Sequence, residues 1–301
     1  MAAFKPIREL ADLPSVATMT PRTRATRVLM ADPEYFDVEY VINVHMQGQV
    51  GKVDKNRARA QWQALKTTYE LLKYPVSVVT PVPALPDLVF TANQCFPFTD
   101  PSGKKVVVPS IMHAPERRAE VEHVRTFFEQ QGYQTSPLDP TQVPDFESMG
   151  DALWHPTRRL IFGGWGQRSH PAAYAHIAAK ARAQVIELQL TDPRFYHLDT
   201  CLGIVDEHCA VIAPMAFQPQ GLEILKEVFP ELIEATEHEA ANLFVCNGHS
   251  PDGKHYIVQK GSVQVNRQLT ERGYQVIEVD TSEYMKSGGS VFCMKMMWAW
   301  A

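Results

Sequence analysis

Short runs of β-branched and other apolar residues recur at strand length along the whole chain, and this pattern predicts strands. The runs cover residues 27–30, 76–79, 106–108, 184–188, 210–212 and 274–279. Between them, apolar residues recur at helical spacing and predict helices over residues 56–72, 116–128, 172–183 and 221–228. The alternation of strands and helices predicts an α/β protein with no obvious linker.

The predicted strands and helices can be grouped loosely into five units, each of which opens on a strand and mostly continues through a helix. The units begin near Arg27, Leu88, Ala152, Leu198 and Leu243, and the sequence identity between them is negligible. The polar residues of interest lie at the strand ends of these units. A repeated α/β architecture would therefore bring their loops together around one axis.

Composition places the chain among ordinary globular proteins, with 45% hydrophobic and 21% charged residues in a length of 301. That length fits one large domain or two ordinary ones. A formal charge of -5 without a long basic run argues against binding to nucleic acid, which needs a basic face. The sequence contains no uninterrupted apolar stretch of about 18 residues, which argues against a membrane span.

Cysteine usage indicates the compartment. The chain has five cysteines, an odd number without close paired spacing, and it lacks both a CxxC motif and a zinc-ribbon pattern. This usage is typical of a reducing compartment rather than of a disulfide framework. Because the N-terminus also lacks the apolar core of a secretory signal, we expect a cytoplasmic protein. We expect residues 1–26 to form a poorly ordered lead-in.

Cys293 is the first candidate for chemistry, because Gly288 and Gly289 before it allow a sharp bend next to a predicted strand. Such a bend suits a thiol that is presented as a nucleophile. A lone cysteine is more often a buried core residue, and Met294, Met296 and Met297 agree with that alternative. The assignment of Cys293 therefore depends on its companions.

His197 and Asp199 form the second candidate element. In a strand, these two residues would lie on one face, where an imidazole and a carboxylate could act together. A chance pair on the surface is the simpler alternative, although the apolar residues on both sides favour a buried strand.

Glu147 and Asp151 form the third candidate element, around a glycine and between apolar residues. If they are buried, these carboxylates need a cation or hydrogen-bond donors between them. A solvated turn or a helix cap is an equally good interpretation of this segment. Asp87 and Asn93 make a similar fourth element.

Together, the candidates are one thiol, one imidazole and several carboxylates on separate strand ends. Attack on a guanidinium carbon needs this set of groups. Carboxylates hold the planar cation, a thiolate adds to its carbon, and a histidine protonates the departing amine. A bound cation and a protonated histidine would also favour the thiolate over the thiol.

On these motifs, the chain resembles the guanidino-group-modifying enzymes of the pentein superfamily, in particular bacterial dimethylarginine dimethylaminohydrolase-like and arginine dihydrolase proteins. The likeness runs from residue 27 to about residue 297, and its motifs are residues 28–30 with 35–38, 87–93, 146–151, 195–200 and 286–293. The resemblance implies a five-bladed α/β propeller with pseudo-fivefold symmetry. It also implies that residues 27–301 form a single pentein catalytic domain.

The resemblance implies roles for the candidate residues. Cys293 would be the nucleophile, His197 the general acid and base, and Glu147 its orienting partner. Asp199 and Asp151 would clamp the guanidinium group. Further contacts with the substrate are implied for Asn93, Asp87, Asn43 and Arg168, and Arg168 matches an arginine that grips the α-carboxylate.

Two positions depart from common patterns in the superfamily. Asn93 stands where many arginine deiminases and dimethylaminohydrolases have an acidic residue, and where arginine dihydrolases and succinylarginine dihydrolases have asparagine. Ile111 stands where relatives usually have an arginine that holds the substrate carboxylate. The loss of that charged contact could weaken arginine binding or indicate a substrate with a different tail.

We therefore expect covalent hydrolysis of arginine or a related guanidino compound through a thiouronium on Cys293, with no metal and no organic cofactor. Asn93 favours two successive hydrolyses, to ornithine, ammonia and carbon dioxide, over deiminase, dimethylaminohydrolase or amidinotransferase activity. A pentein that has lost catalysis and acts as a binding factor is the alternative from another class. The expected partner is a small guanidino molecule rather than nucleic acid or membrane, and a homo-oligomer stays open.

Overall fold

The computed structural model describes residues 5–300 of the chain. The strands in this part are β1 Ala25–Ala31, β2 Val76–Val79, β3 Cys95–Thr99, β4 Lys105–Pro109, β5 Gln134–Thr135, β6 Ala152–Trp154, β7 Leu160–Trp165, β8 Gln184–Gln189, β9 Leu202–Ile204, β10 Cys209–Ile212, β11 Glu231–Glu234, β12 His255–Gln259, β13 Gln275–Val279 and β14 Met296–Trp300. The α-helices are α1 Lys55–Leu71, α2 Glu120–Gln130, α3 Ser148–Asp151, α4 Ala172–Ala181, α5 Pro219–Val228, α6 Glu237–Ala241, α7 Gln264–Glu271 and α8 Ser282–Met285. Strands and helices alternate, so the fold is mixed α/β.

Each strand and helix predicted from the apolar pattern has a counterpart in the structure, and the differences lie at helix ends. The helix predicted from residue 116 begins as α2 only at Glu120, because Pro115 opens a separate 3-10 turn that ends at Arg117. The helix predicted to residue 183 ends as α4 at Ala181, because Arg182 adopts a left-handed conformation with φ 48°.

The strands form five small sheets. In the sheets β3-β4-β5, β6-β7-β8 and β9-β10-β11, the first two strands are antiparallel, and the third returns parallel to the second after a helix. The sheet β14-β1-β2 has the same arrangement when β14 is counted first. The sheet β12-β13 lacks a full first strand, and His249 forms an isolated antiparallel bridge to Ile257 at the corresponding place.

A turn precedes the first strand of each unit, and the five turns are hydrogen-bonded to one another. We call them the turn ring: residues 90–93, 147–151, 197–200, 245–247 and 291–295. The bonds run from Ala92 N to Cys293 O (3.2 Å), Met149 N to Ala92 O (2.9 Å), Leu198 N to Asp151 Oδ1 (3.0 Å), Asn247 Nδ2 to Asp199 O (2.9 Å) and Phe292 N to Asn247 O (2.8 Å). Each turn is bonded to the next and the last to the first, so the ring is closed.

Part of the segment predicted as a lead-in packs against the sheet β6-β7-β8. Ile7 is buried, its N–H donates to the carbonyl of Val185 at 2.7 Å, and its carbonyl accepts from Glu187 N at 2.8 Å. Residues 1–4 of that prediction lie outside the described residues, and the division of the chain at residue 26 stays a prediction. No helix among residues 5–300 combines the length and the apolar character needed to cross a membrane.

Candidate active site

A small pocket of about 250 Å³ opens at the turn ring. Five of the residues singled out from the sequence line it, namely Asn43, Asp87, Asn93, Arg168 and Cys293. The other four, Glu147, Asp151, His197 and Asp199, lie behind this wall and are all buried. Hydrogen bonds connect the two groups, as described below, so the structure brings all the predicted residues into one cluster.

Cys293 lies in the turn just before β14 and is only 2% exposed. Its thiol donates to Asp199 Oδ2 at 3.2 Å, and Asn247 Nδ2 donates to its sulfur at 3.2 Å. Burial and the Asp199 carboxylate raise the pKa of the thiol well above its usual value. In this environment Cys293 is therefore a thiol at neutral pH, and a cation next to Asp199 would favour the thiolate.

His197 and Glu147 form a buried pair, in which His197 Nε2 and Glu147 Oε2 are 2.7 Å apart. The backbone N–H of His113 donates to Glu147 Oε1 at 3.0 Å, and Arg168 Nη1 lies 3.4 Å from Oε2. Burial would raise the pKa of Glu147, but the charge of Arg168 and the bond to His197 outweigh it, so the pKa lies well below its usual range. An ionised Glu147 thus fixes the His197 ring and leaves Nδ1 as its other nitrogen for chemistry.

Asp151 and Asp199 are buried without a cation in direct contact among residues 5–300. Asp151 accepts from Ser169 Oγ at 2.7 Å and from Leu198 N at 3.0 Å. Burial raises the pKa of Asp151 to about 6 and the pKa of Asp199 to about 7, although hydrogen bonds to both groups act in the opposite direction. A cationic ligand next to them would stabilise their ionised forms.

Asn93 is held by Arg117, a buried arginine that the sequence did not single out. Arg117 Nη1 donates to Asn93 Oδ1 at 3.0 Å, and its Nη2 donates to the carbonyl of Asp87 at 3.2 Å and to Glu120 at 2.9 Å. The hydrogen bond from Arg117 to Oδ1 therefore fixes the orientation of the Asn93 amide group. Its nitrogen faces the Cα of Gly150, where an added Cβ would lie 2.4 Å from Nδ2, so only glycine fits at that position.

Asp87 and Asn43 are joined through Ser287. The hydroxyl of Ser287 donates to Asp87 Oδ1 at 2.8 Å, and its carbonyl accepts from Asn43 Nδ2 at 3.0 Å. Tyr40 also donates to Asp87, at 2.8 Å, and burial raises the pKa of Asp87. These bonds tie residues 40–43 to the segment before Cys293 and so shape the mouth of the pocket.

Three buried polar atoms of the predicted residues have no hydrogen-bond partner within residues 5–300: Asn93 Nδ2, His197 Nδ1 and Asp199 Oδ1. Unpartnered buried polar atoms are costly, and in native proteins they call for a functional explanation. Here they are a donor, a proton-transfer group and an acceptor in the cluster that contains Cys293. A planar ligand with donors on its rim would satisfy the acceptor.

Asn247 is the residue of the ring that sequence reasoning missed. Besides its bonds to Asp199 and Cys293, it accepts through Oδ1 from Ser290 N at 3.0 Å and from Cys293 N at 3.4 Å. One signal could have found it, since the unit predicted to begin near Leu243 had no polar candidate at its strand end. Asn247 fills that place.

Ile111 does not line the pocket. It is partly buried against the core, and its backbone exchanges two hydrogen bonds of 2.9 Å with Phe146. Of the two arginines that line the pocket, Arg168 makes fewer short hydrogen bonds than Arg117. Arg168 donates to the carbonyl of Ile42 at 2.7 Å, but its Nη1 lies 3.4 Å from Glu147 Oε2. No group of His, Cys, Asp and Glu side chains in the described part of the chain is arranged to hold a metal ion.

Comparison with known proteins adds three findings on sequence. The family model described as N,N dimethylarginine dimethylhydrolase, eukaryotic, matches residues 32–298. The chain is 36% identical over 283 residues to the N(G),N(G)-dimethylarginine dimethylaminohydrolase of Mycobacterium tuberculosis, which covers 94% of this chain and 88% of that protein. It is also 36% identical over 278 residues to the bifunctional arginine dihydrolase/ornithine cyclodeaminase AgrE of Nostoc sp., over 91% of this chain but only 38% of that protein.

Among solved structures, the N-terminal domain of ArgZ is similar to this chain. ArgZ is an arginine dihydrolase from the ornithine-ammonia cycle in cyanobacteria, and a cysteine-to-serine variant of this domain bound to substrate gives a TM-score of 0.84 at 31% identity, over 90% of this chain and 97% of that one. A second structure, an asparagine-to-serine variant, is covalently bound to a reaction intermediate and has the same TM-score, identity and coverage.

Replacement of Asn247 by alanine should make the Cys293 thiol harder to ionise, because the amide hydrogen bond to sulfur lowers the pKa of Cys293. We expect the pH midpoint of Cys293 alkylation by iodoacetamide to rise by about half to one unit, measured by peptide mass spectrometry. Asn56→Ala, at an exposed asparagine, is the matched control and should leave the midpoint unchanged. An unshifted midpoint in folded N247A would contradict this role.

Replacement of Asp199 by asparagine should stabilise the fold at neutral pH while it damages the site. The folded pKa of Asp199 is about 7, above the value of about 3.9 in an unfolded chain, so rising pH between these values favours unfolding. The difference in melting temperature between D199N and wild type should therefore grow from pH 4 to pH 7 by a few degrees and then level off. Asp12→Asn, at an exposed carboxylate, is the control, and a pH-independent difference for D199N would contradict the burial cost.

Proposed function

The chain belongs to the pentein family of N,N-dimethylarginine dimethylhydrolases and arginine dihydrolases, as a hydrolase of guanidino C–N bonds, and from this premise we propose that it converts arginine into ornithine, two molecules of ammonia and carbon dioxide. Two molecules of water are consumed, one in each of two successive hydrolyses. The family includes proteins named for a single hydrolysis and proteins named arginine dihydrolases, so the second step has to be argued from the site.

The orientation of Asn93 is the observation that carries the dihydrolase proposal. Arg117 binds Oδ1, whereas Nδ2 has no hydrogen-bond partner within residues 5–300 and lies, like the His197 ring, next to Gly150. The product of the first hydrolysis has a neutral ureido group with a carbonyl oxygen. An amide N–H can donate to this oxygen and retain the product, whereas a carboxylate would repel it. A neutral donor at this position therefore favours a second attack before release.

In the first half of the reaction, Asp199 and Asp151 hold the guanidinium group, and Cys293 adds to its carbon. The bound cation replaces the thiol as the partner of Asp199, so the Cys293 proton passes to His197 and the thiolate forms. His197, fixed by Glu147, protonates the departing nitrogen, and the C–N bond breaks to release ammonia. The carbon remains bonded to sulfur as a thiouronium.

Water then attacks the thiouronium carbon, His197 accepts the water proton, and the C–S bond breaks to give the ureido product. In the second half, Cys293 attacks the ureido carbon, and a second ammonia leaves. Hydrolysis of the resulting thiocarbamate releases the carbamic acid of ornithine, which loses carbon dioxide. The covalent intermediate in the ArgZ structure supports this route by analogy.

For the α-carboxylate of the substrate, we propose Arg168 as the charged partner. Arg168 lines the pocket, and its guanidinium lies 5.0 Å above the ring of Tyr196, which also lines it. Asp87 and Asn43 at the pocket mouth are proposed to contact the α-amino end of the substrate. This arrangement replaces the contact that an arginine at position 111 would provide.

We also propose that residues 27–301 form one catalytic domain, in which the five sheets are blades around a pseudo-fivefold axis. The closed turn ring supports this arrangement, because five units of similar strand order contribute one turn each. The reacting groups come from these turns and so lie around the axis. The absence of a metal or organic cofactor from the reaction, the cytoplasmic location and the oligomeric state stay predictions.

Dimethylarginine hydrolysis is the second candidate, favoured by the family model and by the M. tuberculosis relative. A non-catalytic binding factor is the third possibility, but it gives no reason to bury Glu147, Asp151 and Asp199 around a thiol at such electrostatic cost. A product assay with arginine and dimethylarginine separates the three.

The sharpest test is the exchange of Asn93 for aspartate. Wild type should convert arginine into ornithine without accumulating citrulline, whereas N93D should release citrulline as the main product, because the carboxylate repels the ureido oxygen. Products are measured by mass spectrometry with arginine labelled at the guanidino carbon. Wild type should release the label as carbon dioxide, and N93D should retain it in citrulline.

Asn56→Asp, at an exposed asparagine, controls for the change in charge and should behave as wild type. Accumulation of citrulline by wild type, with no ornithine, would contradict the dihydrolase proposal. Turnover of dimethylarginine alone would favour the second candidate, and no turnover of either compound would favour the binding factor.

A further inference from the structure

Ser169 binds both ends of the turn that carries Glu147. The residue is 5% exposed and follows Arg168 in the chain. The backbone N–H of Glu147 donates to Ser169 Oγ at 2.9 Å, and the hydroxyl donates to Asp151 Oδ2 at 2.7 Å. Because a backbone N–H can only donate, the one hydroxyl proton is directed to the carboxylate. The two bonds of Ser169 therefore close residues 147–151 into a loop.

This turn needs such support, because its backbone is strained. Ser148 has a φ of 46°, in the left-handed region that favours glycine. A backbone bond of 3.1 Å from Gly150 N to Glu147 O holds the turn from within. The two bonds of Ser169 hold the residues on either side of the strained position.

Asp151 continues the connection to the next turn of the ring. Its Oδ1 accepts from the backbone N–H of Leu198 at 3.0 Å, and Leu198 follows His197 in the chain. Three hydrogen bonds thus lead from the backbone of Glu147, through the Ser169 hydroxyl, to the backbone beside His197. These donors suit an ionised carboxylate, and each oxygen of Asp151 keeps a second lone pair for a guanidinium group.

The connection joins the two residues of the acid-base pair. His197 Nε2 and Glu147 Oε2 are 2.7 Å apart, although the two residues lie on different turns. Arg168 lies 3.4 Å from the same carboxylate oxygen, so two consecutive residues hold Glu147, one through its side chain and one through its backbone. Close packing also fixes Asp151, because a Cβ added at Gly164 would lie 3.0 Å from Asp151 Oδ1.

We propose that Ser169 is a positioning residue for the acid-base pair, whose hydroxyl connects the turn of Glu147 to the turn of His197. The proposal rests on the proposed function, in which His197 transfers protons and Glu147 fixes its ring. Without the hydroxyl, the Glu147 N–H and Asp151 Oδ2 lose this partner, and the strained turn is held less tightly. The acid-base pair should then be misplaced, so proton transfer should slow more than substrate binding weakens.

The ionisation of Asp151 reports on this connection. Burial raises its pKa to about 6, while the charge of His197 and the bonds from Ser169 and Leu198 lower it, and the charge of Glu147 raises it. Burial keeps two other titratable groups that interact with Asp151 neutral, because it raises their pKa well above the usual values: Tyr174 and Cys201. Removal of the Ser169 hydroxyl should therefore raise the pKa of Asp151.

The first test needs no turnover. In NMR spectra of the isotope-labelled full chain, the Leu198 amide proton donates to Asp151, so its chemical shift follows the ionisation of this carboxyl, and the transition should be absent in D151N. In Ser169→Ala, the titration midpoint should rise by about half to one pH unit, because one donor to the carboxylate is lost. Ser169→Thr keeps the hydroxyl and should restore the wild-type midpoint. Ser262→Ala, at a buried serine whose Oγ has no hydrogen-bond partner within residues 5–300, is the matched control.

The second test follows arginine turnover at about pH 8, where Asp151 is ionised in these variants. The kcat of S169A should fall about tenfold, while KM should change less than about threefold. S169T should recover most of the lost kcat, and S262A should match wild type. If alanine disturbs folding, Ser169→Cys gives nearly the volume of serine with a weaker donor, and it should shift both readouts in the same direction.

An unchanged Leu198 titration in folded S169A would overturn the proposal, and so would equal losses of kcat in S169A and S262A. If wild type does not hydrolyse arginine, the proposed function fails, while the Leu198 titration still decides whether Ser169 connects the two turns.

Discussion

The closed set of hydrogen bonds through the turn ring is the constraint on which the site depends. Each of the five turns precedes the first strand of a unit, and each is bonded to its neighbours by backbone or side-chain groups. Two of these bonds use residues that also contact or interact with candidate site residues, since Asn247 donates to the Cys293 sulfur and the charge of His197 acts on Asp151. The hydrogen bonds that hold the units together therefore also position residues of the candidate site.

The turn ring also explains why so many charged groups are buried. Turns that pack against one another exclude water, so carboxylates on them lose solvation, and this loss raises the pKa of Asp151 and Asp199 to about 6 and 7. The pKa of Glu147 is lowered instead, because Arg168 and His197 lie against this carboxylate. Within residues 5–300, Asp151 and Asp199 have no cation in direct contact, while ionised Glu147 is bonded to a histidine, and this arrangement suits both a cationic substrate and acid-base chemistry.

Much of the fold follows from the sequence, because strand-length apolar runs and helical spacing report directly on burial. The polar residues at strand ends also revealed most of the site, since charges among apolar residues are unusual. Arg117 could not be found in this way, because its partners at positions 87 and 93 are distant in sequence, and Asn247 has no charge that would have drawn attention to it.

The most direct test of the central claim is rapid quenching of the enzyme with arginine, followed by peptide mass spectrometry of all five cysteines, each of which is unpaired and buried. Burial alone does not distinguish Cys293 from the other four, so the chemistry of its neighbours has to. The site predicts that a thiouronium or thiocarbamate adduct of the substrate forms on Cys293 alone and is lost within one turnover. Turnover without an adduct on Cys293, or with an adduct on another cysteine, would contradict it.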